Sequence, residues 1–549
     1  MSYGTIGQFR LPPFASRAPA SGASVARAAG TLEAAPRPTV RAPALAHPAP
    51  WWRRLPWLAP LLPVLAVQTV LSARLVWTDT AFQDEALYLW AGHLEIAHWL
   101  HGSPLPAFPT YFSGAPVFYP PLGALADSLG GLAAARLLSL AFMLAATTAL
   151  WCTANMLFGR RPAFFAAGLW AVLGPTLHLG AFATFDALSL SLLAVAACCA
   201  VRAGRAGPTT GWLLAAAGAL ILAGVAAYST LLFDPVVLAL AAVTGWQEGG
   251  WPAARSRLTT LLAYLVTAYA ILARMGGPWY WRGVSHTVLD RAGATAAVSA
   301  VLGQAWSWTG LVVVLACGAV LAGLAVERTW PRRVLLAVLL AAVLLAPAEQ
   351  ARIHTLSSLD KHLDAGAWFA AAAAGYAVDR LLGCLRRPAW RAVIVTCCAG
   401  ALCVPAVAGA RQARALTGWP DAASFVTWLR PLADHSHGPM LVENPSIAEY
   451  YLPAGQHWQR WSSAFNIMLP SGHSVAQSGR IGYPGHPLVY RKFIADDYFS
   501  VVALDHGQSD PFDRALRHYL EINHDYRPEA VVPYGRNGYT VWLRVRPGK

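Results

Sequence analysis

Between residues 55 and about 410 the chain alternates long apolar stretches with short, punctuated polar segments. Most stretches have about the 17–25 residues that a helix needs to cross a bilayer, the sixth and ninth being shorter. The pattern predicts about eleven spanning helices, near 55–77, 131–157, 163–182, 185–201, 211–231, 234–246, 258–275, 306–326, 333–347, 364–383 and 391–410. After residue 411 the pattern changes. Gly438–Glu443 and Tyr539–Val545 alternate like strands, whereas 421–432 and 510–522 carry apolar residues at helical spacing. The expected fold class is therefore an α-helical polytopic membrane protein with a small C-terminal α/β domain. Three regions follow: a leader over 1–54 that reads as disordered, a membrane region over 55–410, and an α/β region over 411–549.

Composition agrees with this division. The chain has 549 residues, of which 56% are hydrophobic and 12% charged, about half the charged fraction of a soluble protein. A wholly soluble enzyme is excluded. The 41 Lys and Arg exceed the 27 Asp and Glu by 14. With residue 1 in the cytoplasm, the loops on one side hold Arg53, Arg54, Arg160, Arg161, Arg202, Arg205, Arg255, Arg257, Arg328, Arg332, Arg333, Arg386, Arg387 and Arg391, which is the positive-inside pattern. Nucleic acid is not needed to explain the excess. The opposite side begins with loop 78–130, which has no Lys or Arg and five acids: Asp79, Asp84, Glu85, Glu95 and Asp127. This orientation places the α/β region outside a plasma membrane of bacterial type. The cysteines lie in or beside the predicted spans, and no zinc-ligand spacing occurs.

Ionisable groups at a membrane surface are costly and mark function. Asp84-Glu85 opens an apolar helical stripe just after the first span, Asp186 lies at the turn between the third and fourth, and Lys361 is the first lysine in a chain that otherwise uses arginine. Each has a plain structural reading as well. Acids in a first helical turn cap it and complement its dipole, and Lys361 has Asp360 and Asp364 close by in sequence. Against that, Lys361 with Arg352 and His362 suits a phosphate. Loop 102–122 holds six prolines with Tyr111 and Tyr119 among other aromatics. It is expected to be stiff and non-helical, forming a cavity wall or an interfacial belt.

These pieces, in this order, resemble the GT-C superfamily of glycosyltransferases that use polyprenyl-phosphate sugars, especially family 39. The resemblance rests on Asp84-Glu85, Tyr119-Pro-Pro-Leu122, Arg136-Leu-Leu-Ser139, Phe158-Gly-Arg-Arg161 and Thr184-Phe-Asp186. It implies a catalytic acid at Asp84 with Glu85 beside it, Asp186 lining the same cavity, and donor-phosphate binding at Arg352, Lys361 and His362. It also implies inverting transfer of a sugar to a cell-envelope acceptor, a glycan, lipid or protein hydroxyl, on the outer face. No metal is required, because a cationic side chain can serve the phosphate, though the acids leave room for a divalent ion. Some lipid-A-modifying relatives have Glu-Lys where this chain has Phe118-Tyr119, which argues against a lipid-A acceptor. A transporter or flippase of lipid-linked sugars, and a non-catalytic envelope scaffold, are the competing classes.

Overall fold

The computed structural model describes residues 58–203, 209–285, 294–383, 388–452, 457–475, 485–505, 510–535 and 538–545. The expected leader 1–54 lies outside them. Helix α1 (Leu61–Val76) is followed by α2 (Gln83–His101), α3 (Tyr119–Phe158), α4 (Arg160–Ala171) and α5 (Gly174–Leu179). Next come α6 (Phe185–Arg202), α7 (Thr209–Ala226), α8 (Asp234–Val284), α9 (Val298–Val326), α10 (Trp330–Arg352), α11 (Leu359–Gly383) and α12 (Pro388–Leu416). Among the described residues six helical segments are long and apolar enough to cross a membrane: Tyr119–Phe158, Phe185–Arg202, Thr209–Ala226, Tyr228–Gly277, Val298–Val326 and Trp330–Arg352. The protein is a multi-pass helical membrane protein.

Small residues let these helices approach closely, as packing between helices in lipid requires. In α11 the run Ala370–Ala374 is wholly buried, and a Cβ on Gly375 would lie 2.2 Å from the Pro162 carbonyl oxygen of α4. Two long helices are broken by paired glycines. Gly130-Gly131 divides α3, and Gly249-Gly250 divides α8, with Gly131 and Gly250 at φ +67° and +69°.

Two expectations from the sequence change. The span expected over 163–182 is two helices, because the chain is extended at Leu173 (φ −66°, ψ 144°) before Gly174-Pro175 and a proline ring would clash with the preceding turn of a continuous helix. Helix α12 presses on the break: a Cβ on Gly409 would lie 1.8 Å from the Val172 oxygen. Loop 102–122 is also not irregular throughout, since Phe108–Thr110 forms a 3₁₀ turn and α3 starts at Tyr119 with Pro120 and Pro121 in its first turn. Proline is tolerated there because those N–H groups have no helical partner.

The α/β region has a five-stranded sheet in the order β2-β1-β5-β7-β6. Its strands are β1 (Met440–Val442), β2 (Trp461–Ser462), β5 (Val501–Leu504), β6 (Tyr526–Val532) and β7 (Tyr539–Arg544), while β3 (Ile467–Met468) and β4 (Ser474–Val475) make a separate hairpin. β1 runs parallel to β2 and β5, and β7 antiparallel to β5 and β6. Alternation sends Leu441, Val502, Leu504 and Trp542 against helices α15 (Pro487–Ala495) and α16 (Asp510–Ile522). The other face, with Met440, Val442, Val501 and Val541, packs on α13 (Ala423–His435) and α14 (Ser446–Tyr451).

Candidate active site

Three helix beginnings meet at the end of the bundle that adjoins the α/β region. Asp84 is in the first turn of α2, Asp186 in the first turn of α6, and Asp360-Lys361 in the first turn of α11. The Lys361 ammonium lies 2.8 Å from Asp84 Oδ2 and 3.6 Å from Asp186 Oδ2. It also sits 5.0 Å from the centre of the Phe182 ring, a cation over an aromatic face. Phe182 stacks on His178 at 4.7 Å, and His178 Nε2 is 3.7 Å from Asp360 Oδ2. The hydroxyl of Thr184, the extended residue before α6, donates to Asp186 Oδ2 at 2.8 Å. One ammonium is thus flanked by Asp84 and Asp186, with the Asp360 charge near enough to be felt. Asp84 retains the most solvent access of the paired acids, its side chain 30% exposed against 8% for Asp186.

Glu85 points elsewhere. It is fully buried and forms a two-pronged pair with Arg136, Oε1 to Nε at 2.8 Å and Oε2 to Nη2 at 2.7 Å. It further accepts the backbone N–H groups of Ala183 (2.8 Å) and Phe82 (3.0 Å). Arg136 donates in addition to the carbonyls of Val76, Thr78 and Thr80. This knot ties the chain before α2 to the chain before α6, which holds Asp84 and Asp186 on facing segments.

The α/β region secures the same chain from the other side. The Ala81 N–H donates to the Tyr451 hydroxyl, the Ala422 N–H to Thr80 Oγ1, and Trp419 Nε1–H to the Thr80 carbonyl, each at 2.8 Å. Asn444 donates to Gln83, and the Tyr450 hydroxyl donates to Asp127 at 2.6 Å. Asp79, His354 and Ser358 have φ of 50–60° without being glycine. Such strain collects at functional sites; these three lie in the loops that deliver Asp84 and Lys361, while a fourth such residue, Asp497, lies in the α/β region.

The remaining candidates are placed as follows. His362 hydrogen-bonds Gln350 at 2.6 Å and, with Asp186, Ser189, Thr230 and Lys361, lines a cavity of about 10 Å³. Arg352 is two-thirds exposed and paired with Glu349. Tyr119 is wholly buried, edge-on to Tyr88, and Tyr111 is half-buried, edge-on to Phe108. Burial pushes the Tyr111 phenol up to about 12, with Glu449 adding to the effect. Burial alone pushes Glu449 up to about 8. Among the described residues, one trio of acids is close enough to hold a metal ion: Glu443, Asp505 and Asp513, in the α/β region. No pattern in the sequence marks the contributions of His178, Phe182 and Trp419, whereas Tyr450 and Tyr451 stand in an aromatic stretch that reads equally as a carbohydrate contact or as core. Arg136 carries a signal, as the single charge in an otherwise apolar span, which demands a buried partner.

No family model matches the chain, and no curated protein matches its sequence. Its fold does match solved structures. Over 88% of this chain and 98% of the other, it superposes on ArnT from Cupriavidus metallidurans bound to undecaprenyl phosphate, with TM-score 0.55 and 14% identity. Archaeal oligosaccharyltransferase AglB from Archaeoglobus fulgidus, in complex with an inhibitory peptide and a dolichol-phosphate, gives TM-score 0.53 at 12% identity, with 89% and 75% coverage. The arabinofuranosyltransferase AftD from Mycobacteria gives 0.50 at 15%, covering 89% of this chain and 42% of that one. This chain shares its fold with these solved structures.

Proposed function

We propose that this chain is an integral membrane glycosyltransferase. It moves a sugar from a polyprenyl-phosphate donor to a hydroxyl of a cell-envelope acceptor on the outer face of the membrane, with inversion. The observation that carries the reading is the meeting of Asp84, Asp186 and Lys361, from three distant stretches of sequence, at one end of a bundle whose fold is shared with structures holding a lipid phosphate. In this reading Asp84, the more accessible acid, is the general base. It takes the acceptor's O–H proton while that oxygen bonds to the anomeric carbon. The bond from that carbon to the phosphate oxygen breaks, and its electron pair leaves with the polyprenyl phosphate. Lys361 meets the charge growing on that phosphate, with His362 beside it, a stabilisation that is often the largest catalytic contribution. Asp186 positions Lys361, and Glu85 with Arg136 positions Asp84. Arg352 serves the phosphate only from further out, and Tyr111 and Tyr119 belong to the aromatic wall beside α2.

The donor's sugar is a hexose or a pentose, and no metal enters the steps above. The test is Asp84→Asn in the full chain in native membranes, supplied with radiolabelled polyprenyl-phosphate sugars. A general base contributes about 10²–10⁴-fold, so transfer is expected to fall by that factor with protein level unchanged. Near-normal transfer overturns the assignment of the base.

A further inference from the structure

We propose that Lys361 is a charge gate: before the donor arrives it holds Asp84, and the donor's phosphate draws it away and so releases the base. The inference rests on the glycosyltransferase reading and adds to it a coupling between donor binding and base activation.

Four observations carry it. The ammonium is in direct contact with the proposed base, 2.8 Å from Asp84 Oδ2, so that oxygen is already engaged as a hydrogen-bond acceptor. The neighbouring guanidinium is committed elsewhere, since Arg136 is bound to Glu85 and to backbone carbonyls. Arg352 is paired with Glu349. Among the described residues Lys361 is therefore the cation that reaches both Asp84 and Asp186. Finally, the cavity that Lys361 lines with Asp186 and His362 is small, about 10 Å³, enough for about one water. A phosphate that comes to this cavity meets the ammonium at its wall.

The side chain suits the movement. A lysine carries a compact charge on a four-carbon stem with freely turning bonds, and the ammonium can follow a phosphate while its backbone stays fixed in the first turn of α11. Asp186, hydrogen-bonded by Thr184 and 3.6 Å from the ammonium, is a second anchor that keeps Lys361 near the site after it leaves Asp84. Without donor Asp84 Oδ2 is thus occupied by the ammonium, and a stray hydroxyl or water must compete with it for that oxygen. With donor the cation stands at the leaving group and Asp84 faces the acceptor.

The full chain in lipid nanodiscs is treated with a water-soluble carbodiimide and an added amine, with and without undecaprenyl phosphate, and peptides are mapped by mass spectrometry. Without lipid phosphate, activated Asp84 is expected to close an amide with Lys361, losing one water. Saturating lipid phosphate is expected to lower that crosslink about tenfold, as for a two-state switch, and to raise amine labelling of Asp84. Lys361→Gln is expected to show high Asp84 labelling with or without the lipid. Should that variant fail to fold, Lys361→Arg keeps the charge, cannot form the amide, and should still show labelling that rises with the lipid. Binding of the lipid phosphate is measured separately by titration. Saturable binding with the crosslink unchanged, or with crosslink and labelling both lowered, overturns the gate alone. No binding overturns the donor reading and the gate with it.

Discussion

Replacing Arg136 with methionine tests whether the knot beneath the site holds it together. The guanidinium and the Glu85 carboxylate are 1% and 0% exposed, so removing the cation strands a buried carboxylate. Breaking such a pair from one side costs about 3–5 kcal/mol. The carbonyls of Val76 and Thr78 lose a donor as well, at about 1–3 kcal/mol for each that water cannot reach. Thr80 keeps Trp419 as a donor and adds little. The sum is a large part of the 5–15 kcal/mol that stabilises a typical domain. Arg136→Met is therefore expected to lower the melting temperature by about 5–10 °C or to abolish the folded peak. Glu85→Gln, which leaves the guanidinium without its counter-charge, should do nearly as much. The double variant Arg136→Met/Glu85→Gln strands no charge, and should recover at least about 2 kcal/mol relative to the sum of the singles. The assay is thermal unfolding in detergent, followed by tryptophan fluorescence and size exclusion. Strict additivity, or a single variant that melts within about one degree of the parent, would refute the account. In the double variant, a folded protein with reduced transfer is expected, because Asp84 loses the neighbour that fixes it.

Two further outcomes follow from close packing and burial. Gly92→Ala puts a Cβ 2.0 Å from the Pro120 carbonyl oxygen, so α2 must move off α3. It should destabilise the protein and reduce transfer even though alanine is the better helix former by about 1 kcal/mol; a rise in melting temperature would contradict this. Glu449, with its folded pKa raised to about 8 by burial, binds its proton more tightly folded than unfolded. Its stabilising effect is complete below the ordinary glutamate range and is lost as pH rises toward 8. Glu449→Gln should therefore raise the melting temperature relative to the parent at pH 8–9 and leave it nearly unchanged at pH 4; equal shifts at both would contradict the burial argument.

Local physics is legible along the chain. Apolar length marks the spans, because a bilayer allows no other economical course for the backbone. Alternation marks β1 and β7, and Phe512, Leu516 and Leu520, four residues apart, mark the buried side of α16. Asp84, Asp186 and Lys361 stood out as individual residues by their chemistry and their place at span ends. What no local pattern carries is partnership. Lys361 has Asp360 and Asp364 as sequence neighbours, yet it pairs with Asp84, 277 positions away, and Asp84 and Glu85, adjacent in sequence, face a lysine on one side and an arginine on the other. Successive residues at a helix start point about 100° apart, and helix packing decides what stands in each direction. The break between α4 and α5 belongs to the same class: Gly174-Pro175 permits it, and α12 pressed against Val172 makes it the course the chain takes.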